Sequence, residues 1–154
     1  MNRLLDSLVI TASVFISGTA FAQVDISNPL RLMFVADATD NVIDVVDLID
    51  EEAIYRIETK YPVDDLIATP YAPVLVYTNI ERRLVSVYDL RSKELAKEIE
   101  LPIAPRHMVL DTSGSKIGFS DNEDGGFVLF SPYAADIMFA LEDFPPTSDV
   151  LFDP

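Results

Sequence analysis

Short runs of apolar residues alternate with clusters of turn residues along the chain, and three of these runs are alike. They read FVAD at Phe34–Asp37, VYTN at Val76–Asn79 and GFSD at Gly118–Asp121. The runs end at Asp37, Asn79 and Asp121, which lie 42 residues apart. Aspartate and asparagine are typical of turns. VIDVVDL at Val42–Leu48 and LVSVYDL at Leu84–Leu90 show the same spacing. The pattern therefore predicts a repeated unit of 42 residues.

Each repeat contains four short apolar runs with turn signals between them, which predicts four β-strands per unit. The clearest turn is NEDGG at Asn122–Gly126, where glycines supply the positive φ that tight hairpins require. Ser92–Leu101 has a weak helical pattern, but the equivalent residues of the other repeats are strand-like, so we predict an outer strand. The predicted units span residues 24–64, 65–106 and 107–148, and residues 149–154 begin a further unit.

A four-stranded unit of about 40 residues is typical of a β-propeller blade. Within this class, VYTN, the V-x-D-L endings at Val45–Leu48 and Val87–Leu90, and the run Pro105–Asp121 resemble the YVTN family of β-propeller repeats. The third unit departs from the pattern, with Ser131 and Pro132 in place of Asp and Leu. The resemblance implies an all-β fold, a partial β-propeller of about three four-stranded, WD40-like blades. It does not specify an activity, because similar propellers have many functions.

The number of predicted blades raises the question of closure, because closed propellers typically have about four to eight blades. Residues 23–154 supply about three units and the first strand of another. Exposed blade faces and strand edges favour self-association. We expect the chain to be part of a longer propeller. The alternatives are closure by several chains and an open stack of three blades.

The N-terminal segment has the features of a secretory signal peptide. Arg3 precedes an apolar run from Leu8 to Ile16, and Ala20-Phe21-Ala22 provides a cleavage site of the A-x-A type. The apolar run is short for a bilayer span, which needs roughly 20 residues. We therefore predict a signal peptide at residues 1–22, a mature propeller domain at 23–154 and a periplasmic or secreted protein. The chain has no cysteine, so export would add no disulfide.

The charge balance limits the partners of the chain. It carries 26 acidic and 11 Lys or Arg residues, a formal net charge of −15. Nucleic-acid binding depends on cationic side chains, so this balance argues against a nucleic-acid partner and against an anionic membrane surface after signal cleavage. It favours a cationic protein or small-molecule ligand, which the acidic surface would attract.

The 42-residue register places Asp65, His107 and Asp149 in equivalent positions, just after the connections between blades. In a propeller this position begins the innermost strand, so the three side chains are expected around the mouth of the channel. One histidine and two carboxylates are a plausible ligand set for a divalent metal such as zinc. The alternative is that positions on neighbouring blades lie too far apart to share an ion.

A second group of candidates lies in the loops of the third unit. Arg106 is expected to pair with an acidic neighbour or to bind an anionic ligand, and Asp121 and Asp124 belong to the acidic hairpin tip at 120–126. The order of residues there is not that of an EF-hand loop, so we interpret the tip as a solvated turn. We assign no catalytic residues, since the chain lacks cysteine, has one histidine and has no G-x-S-x-G motif.

Two functions remain open from the sequence. The first is a non-catalytic, exported propeller that binds a protein or small ligand through its loops or channel mouth. The second follows from similar periplasmic propellers, the haem d1 domain of nitrite reductases and the heavy chain of amine dehydrogenases. It is a redox-associated propeller that holds a cofactor or docks an electron-transfer partner. We identify no cofactor from the residues themselves, and haem or a divalent metal belongs to this alternative.

Overall fold

The computed structural model describes residues 24–37, 39–147 and 150–152. The predicted signal peptide, residues 1–22, lies outside the described residues. Apart from a short 3-10 turn at Pro29–Arg31, the described secondary structure consists of β-strands. No helix in this part of the chain has the length and apolar character needed to cross a bilayer.

The strands form three antiparallel sheets in chain order, which we call the first, second and third blades. The eleven strands are β1 (Leu32–Asp37), β2 (Val42–Asp47), β3 (Glu52–Glu58), β4 (Asp65–Ala68), β5 (Val74–Asn79), β6 (Leu84–Asp89), β7 (Glu94–Glu100), β8 (His107–Leu110), β9 (Ile117–Ser120), β10 (Phe127–Ser131) and β11 (Asp136–Leu141). The sheet orders are β1-β2-β3, β4-β5-β6-β7 and β8-β9-β10-β11.

The 42-residue repeat is reproduced in the irregular features of the backbone as well as in the strands. The register between the third and fourth strands of a blade shifts after Val45, Val87 and Leu129. Two turn positions per blade have positive φ, and they recur with the same spacing: Asn41, Arg83 and Gly125 at one turn, and Glu51, Lys93 and Ala135 at the other. The three blades therefore share one backbone plan.

The first blade differs from the prediction, because it has three strands among the described residues and the other two have four. Its missing strand would begin near residue 24. The segment from Val24 to Asn28 instead lies outside the sheet, and Ile26 is fully buried in the core between the first and second blades. Burial of Ile26 in that core removes this segment from the sheet edge, so the prediction of a fourth strand here was wrong.

The predicted outer strand at Ser92–Leu101 is confirmed as β7, whose ladder to β6 is continuous apart from the bulge. The third blade also keeps its turn after β10 despite the change to Ser131 and Pro132. There the Ser131 hydroxyl accepts a hydrogen bond from the backbone N–H of Ala134 at 3.3 Å.

The core consists of two apolar layers, one between each pair of neighbouring blades. The first layer joins the first and second blades through residues such as Ile43, Val45 and Leu75, and the second joins the second and third blades. In the second layer, Phe119 and Phe130 are fully buried and meet edge to face with ring centroids 5.8 Å apart. The blades thus pack face to face.

The sheets approach one another most closely at one edge. The strands of different blades that come together are β1 with β4 and β4 with β8. These are the first strands of their sheets, and β3, β7 and β11 lie at the opposite edges. We call the edge formed by β1, β4 and β8 the inner edge. It corresponds to the channel side of a propeller.

Candidate binding site at the inner edge

Asp65 and His107 are the first residues of β4 and β8, so the structure brings both to the inner edge. They occupy the same place in the register, with Asp65 opposite Thr78 and His107 opposite Ser120. His107 is exposed and Asp65 is half-buried. The two residues therefore lie at equivalent positions of neighbouring strands, and their role as site residues stays a prediction.

The Asp65 carboxylate lacks an ion-pair partner among the described residues. Its Oδ1 accepts a hydrogen bond from the N–H of Leu66 at 2.8 Å. Burial raises the pKa of Asp65 above its ordinary value, and the Leu66 N–H and the charge of His107 lower it by smaller amounts. A half-buried carboxylate in this state gains from any cation that approaches the inner edge.

The metal hypothesis stays a prediction. Its third residue, Asp149, lies outside the described residues. Within the part of the chain that the structure describes, no three His, Asp or Glu side chains form a group that could hold a metal ion. Asp65 and His107 alone supply two ligands, fewer than the three that protein zinc sites use.

Arg106 forms ion pairs that join the connection between blades to the hairpin of the third blade. Its Nε lies 3.2 Å from Oδ1 of Asp121, and its Nη2 lies 2.6 Å from Oε2 of Glu123. Its backbone N–H donates to the carbonyl of Ser120 at 3.1 Å. The guanidinium therefore already has two acidic partners, which is one of the two roles that the sequence allowed.

Asp121 is buried, and its carboxylate holds the turn in place. Oδ1 accepts hydrogen bonds from the N–H groups of Glu123 at 2.9 Å and Asp124 at 3.2 Å. Burial acts to raise the pKa of Asp121, but these two donors and the Arg106 charge outweigh it, and the pKa lies below its ordinary value. Asp124 is exposed at the tip. The Asp121 side chain thus has a structural role in this turn, whereas the Asp124 side chain is exposed and does not hold the turn.

The residue opposite His107 has an unusual feature. Ser120 is 1% exposed, and its Oγ has no hydrogen-bond partner in the described part of the chain. Buried hydroxyl groups are normally paired, because an unpaired one costs free energy. The strand β4 therefore carries a carboxylate without an ion-pair partner, and β9, next to the inner strand β8, carries a buried hydroxyl without a hydrogen-bond partner in the described part of the chain.

A second surface feature, which the sequence interpretation did not single out, is a groove between the first and second blades. It has a volume of about 490 Å³. Its lining combines phenol rings with cationic side chains: Tyr55, Tyr77, Tyr88, Arg56, Lys60 and Lys93. The packing of the first blade on the second brings Tyr55 and the cations together with Tyr77 and Tyr88.

Two phenols of the groove, those of Tyr77 and Tyr88, have pKa values above the ordinary one. Burial raises the pKa of Tyr77, and burial together with the neighbouring Tyr55 raises that of Tyr88. All three cations are already engaged, and the Lys60 ammonium lies 3.6 Å from Oε2 of Glu98. Arg56 pairs with Asp44 at 2.7 Å, and the Lys93 ammonium lies 4.9 Å from the centre of the Tyr55 ring. Because the cations of the groove already have partners, the groove is a weaker candidate for ligand binding than the inner edge.

No described protein family matches the sequence, and no curated protein matches it. Solved structures do match the fold. Hydrazine synthase from Kuenenia stuttgartiensis superimposes with a TM-score of 0.65 at 18% identity, over 88% of this chain and 40% of that one. Dihydro-heme d1 dehydrogenase NirN, in complex with DHE, gives 0.62 at 18% identity, over 75% of this chain and 25% of that one.

The WD40 domain of coronin from Toxoplasma gondii gives a TM-score of 0.61 at 11% identity, over 73% of this chain and 30% of that one. All three are β-propeller proteins. The chain spans between a quarter and two fifths of their lengths. At these identities the similarity concerns the fold, and the fold is that of a β-propeller with WD40-like blades.

Proposed function

We propose that the chain is an exported β-propeller module of the YVTN type that binds a cationic ligand at its inner edge. The three blades form part of a larger ring in this proposal, and the ligand is a basic protein segment or a small amine. The observation that carries the proposal is the Asp65 carboxylate, which is half-buried on an inner strand and has no cationic partner among the described residues.

Two further features support this proposal. The net charge of −15 attracts cations to the whole surface, and this attraction raises association rates at low ionic strength. The engagement of Arg106 by Asp121 and Glu123 keeps its positive charge from competing for the inner-edge carboxylate.

The test uses the mature chain and an octalysine peptide, with cadaverine as the small-amine probe, by isothermal titration calorimetry. The Asp65→Asn variant removes the inner-edge charge. Asp136→Asn is a matched control, because Asp136 begins the outer strand β11 and its Oδ1 accepts the N–H of the next residue at 3.0 Å, as Asp65 does at 2.8 Å.

We expect Asp65→Asn to weaken binding about fivefold to tenfold, the effect of losing a partly buried charge pair worth roughly 1–1.4 kcal/mol. Asp136→Asn should change affinity by less than about twofold, since screening weakens exposed charge pairs. Equal losses in the two variants would show diffuse attraction to the acidic surface and would contradict a site at the inner edge.

The redox-associated alternative rests on the fold it shares with the dihydro-heme d1 dehydrogenase. His107 is the one histidine of the chain and so supplies the one imidazole that could act as an axial haem ligand. It is exposed, however, and protein haem sites enclose the ligand in a shaped pocket, so the described residues around His107 do not fit a haem. A visible absorption spectrum of the purified mature chain tests this alternative directly.

A further inference from the structure

One tyrosine of the second blade is held at the surface. Tyr71 lies on the turn between β4 and β5, residues 69–73, and is 75% exposed. The third blade has Ser113 at the equivalent position, 42 residues later, so the shared backbone plan does not require an aromatic side chain there. Tyrosine is enriched at protein interfaces and among the residues that carry most of their binding energy. Tyr71 is therefore a candidate anchor for a partner.

The turn that carries Tyr71 is rigid. Pro70 and Pro73 restrict its backbone, since a proline ring locks φ at about −65°. The buried side chain of Thr69 adds a hydrogen bond across the turn, in which its hydroxyl donates to the carbonyl of Ala72 at 2.7 Å. A partner that binds Tyr71 meets a backbone that is already ordered, which lowers the entropic cost of binding.

The neighbouring turn of the third blade, residues 111–116, supports the ring of Tyr71. A Cβ on Gly114 would lie 2.9 Å from the side chain of Pro70 and 3.3 Å from Cδ2 of Tyr71. The backbone of Gly114 therefore lies directly against both side chains. The turns of the second and third blades thus meet at one end of the molecule, beside this exposed tyrosine.

Two cationic side chains lie on the turns next to Tyr71. The N–H of Leu90 donates to the carbonyl of Pro73 at 2.8 Å, which places the following residue, Arg91, beside the turn that carries the tyrosine. Lys116 ends the supporting turn of the third blade. Both cationic residues are exposed, and neither forms an ion pair within the described part of the chain. They are therefore available to an acidic ligand.

The acidic side chains closest to these cations in the chain hold turns. Asp89 accepts the N–H groups of Arg91 at 2.7 Å and Ser92 at 3.1 Å. Asp111 accepts the N–H of Lys116 at 2.8 Å. Both carboxylates are therefore engaged by backbone donors, whereas the two cationic side chains have no acidic partner.

The charge balance at this end differs from that of the whole chain. In the second and third blades its turns, residues 69–73, 90–93, 111–116 and 132–135, carry three cationic residues and one acidic residue, and the adjoining strand ends add Asp89, Glu94 and Asp136. The local net charge is therefore −1, three cations less four acids, compared with −15 for the chain. Because salt screens charges beyond about 8 Å at physiological ionic strength, a ligand at this end responds mainly to the local balance.

We propose that this end of the second and third blades is a docking surface for an acidic peptide segment with an aromatic or aliphatic anchor. The anchor packs on the Tyr71 ring, and acidic side chains of the segment pair with Arg91 and Lys116. The surface is distinct from the inner-edge site, because Asp65 begins β4 and Tyr71 follows the other end of that strand. The proposal therefore goes beyond the proposed function and does not depend on it.

A peptide that contains tryptophan tests the proposal, because the chain itself has no tryptophan and the fluorescence of the peptide reports binding directly. The probe is the acetylated and amidated hexapeptide EEWLEE, and KKWLKK is its cationic counterpart. Fluorescence anisotropy of each peptide is measured against the mature chain at about 0.15 M salt, where long-range attraction and repulsion are screened.

Tyr71→Ala removes the anchor, and Tyr133→Ala is the matched control. Tyr133 also lies between a proline and an alanine on an exposed turn, that between β10 and β11, but its turn has no charged residue. Arg91→Gln and Lys116→Gln remove the flanking charges. Arg82→Gln makes the same change of net charge on the turn between β5 and β6, at the opposite end of the strands.

We expect saturable binding of EEWLEE that Tyr71→Ala weakens by about tenfold or more, as truncation of an aromatic anchor does. Arg91→Gln and Lys116→Gln should each weaken it about threefold, the effect of losing an exposed charge pair. Tyr133→Ala and Arg82→Gln should change it by less than about twofold, because neither side chain contacts the peptide. The urea midpoint of Tyr71→Ala should match that of the native chain, since the side chain is exposed, so lost binding would not reflect lost folding.

Four results would overturn the proposal. They are no saturable binding of EEWLEE up to about 1 mM peptide, equal losses in Tyr71→Ala and Tyr133→Ala, equal losses of EEWLEE and KKWLKK binding in Tyr71→Ala, and binding of phosphatidylglycerol vesicles in place of the peptide. Failure here is distinguishable from failure of the inner-edge site. Asp65→Asn should leave EEWLEE binding unchanged, and Tyr71→Ala should leave octalysine binding unchanged.

Discussion

Replacing Asp121 by alanine is expected to destabilise the third blade far more than the equivalent change of Asp37 destabilises the first. Both residues hold the turn after the second strand of the four-strand plan. Asp37 accepts the N–H of Thr39 at 2.7 Å and of Asp40 at 3.3 Å, as Asp121 does from Glu123 and Asp124. The difference is burial: Asp37 is exposed, and the Asp121 side chain is 2% exposed beside Arg106.

The expected magnitude follows from what Asp121→Ala leaves behind. It removes the acceptor of two backbone N–H groups and one partner of a partly buried Arg106. Hydrogen bonds to a charged group contribute about 1.5–3 kcal/mol, and breaking a buried ion pair costs about 3–5 kcal/mol. Because Glu123 remains paired with Arg106 and water reaches the tip, we take the lower part of these ranges, about 3 kcal/mol.

Urea unfolding followed by circular dichroism measures this change. With a slope of about 2 kcal/mol per molar urea, the midpoint should fall by about 1.5 M in Asp121→Ala. The fall in Asp37→Ala should be clearly smaller. Equal shifts in the two variants would refute the reasoning, because they would mean that burial and the Arg106 pair contribute nothing beyond the turn.

The pH dependence gives an independent check on the same residue. The pKa of Asp121 is lowered in the folded state, so its contribution is present above the unfolded value of about 3.9 and is lost as the pH falls through the folded value. The stability difference between the native chain and Asp121→Asn should therefore be constant near neutral pH and shrink below about pH 4. A difference that grows on acidification would contradict the assignment.

The remaining predictions concern the core, the turns and the inner edge. Phe119→Ala should cost about 3–5 kcal/mol in urea unfolding, because Phe119 is fully buried against Phe130. Gly125→Ala should lower the free energy of unfolding by about 2 kcal/mol or more, since φ is +86° and a Cβ would lie 2.3 Å from the Phe144 carbonyl oxygen. Asn41→Gly at the equivalent turn should be neutral or stabilising. Asp65→Asn should raise the urea midpoint at pH 7 and not at pH 3, because the raised pKa of Asp65 means that its ionisation in the folded state opposes stability. A lower midpoint at pH 7 would contradict the pKa direction.

The strand pattern was largely predictable from the sequence because each strand has two equivalents with the same spacing. Ser92–Leu101 taken alone is ambiguous between helix and strand, and its equivalents resolve it in favour of β7. The glycines of the turn at 122–126 were predictable from local turn chemistry instead, and Gly125 and Gly126 both adopt positive φ. Repetition supplies information that local propensity lacks.

The first blade shows where this reasoning fails. The register alone predicts a strand near Val24, but register carries no information on which core Ile26 enters. Its burial beside Leu90 and Leu75 decides the path of the segment, and that is a contact between residues far apart in the chain. The groove was missed for the same reason, since Tyr55 and Lys93 meet only after the first two blades have packed.

The features of the candidate site also divide into those that the repeat predicts and those that only the folded structure shows. The alignment of repeats placed Asp65 and His107 on neighbouring inner strands, because the position of a residue in a repeat follows from its number. It could not show that Arg106 is held by Asp121 and Glu123, or that the Ser120 hydroxyl is left unpaired. Those features depend on side-chain geometry and burial, which vary between blades that share one backbone plan.

The central claim is that three blades repeat one strand register at intervals of 42 residues. In antiparallel pairs that do not exchange hydrogen bonds, the Cα atoms lie about 4.5 Å apart and the Hα atoms are in contact. Such pairs are Phe34 with Val45, Val76 with Val87 and Gly118 with Leu129. A nuclear Overhauser spectrum of the labelled mature chain should show strong Hα–Hα cross-peaks for all three pairs. A pairing shifted by one or more residues in any blade would contradict the account.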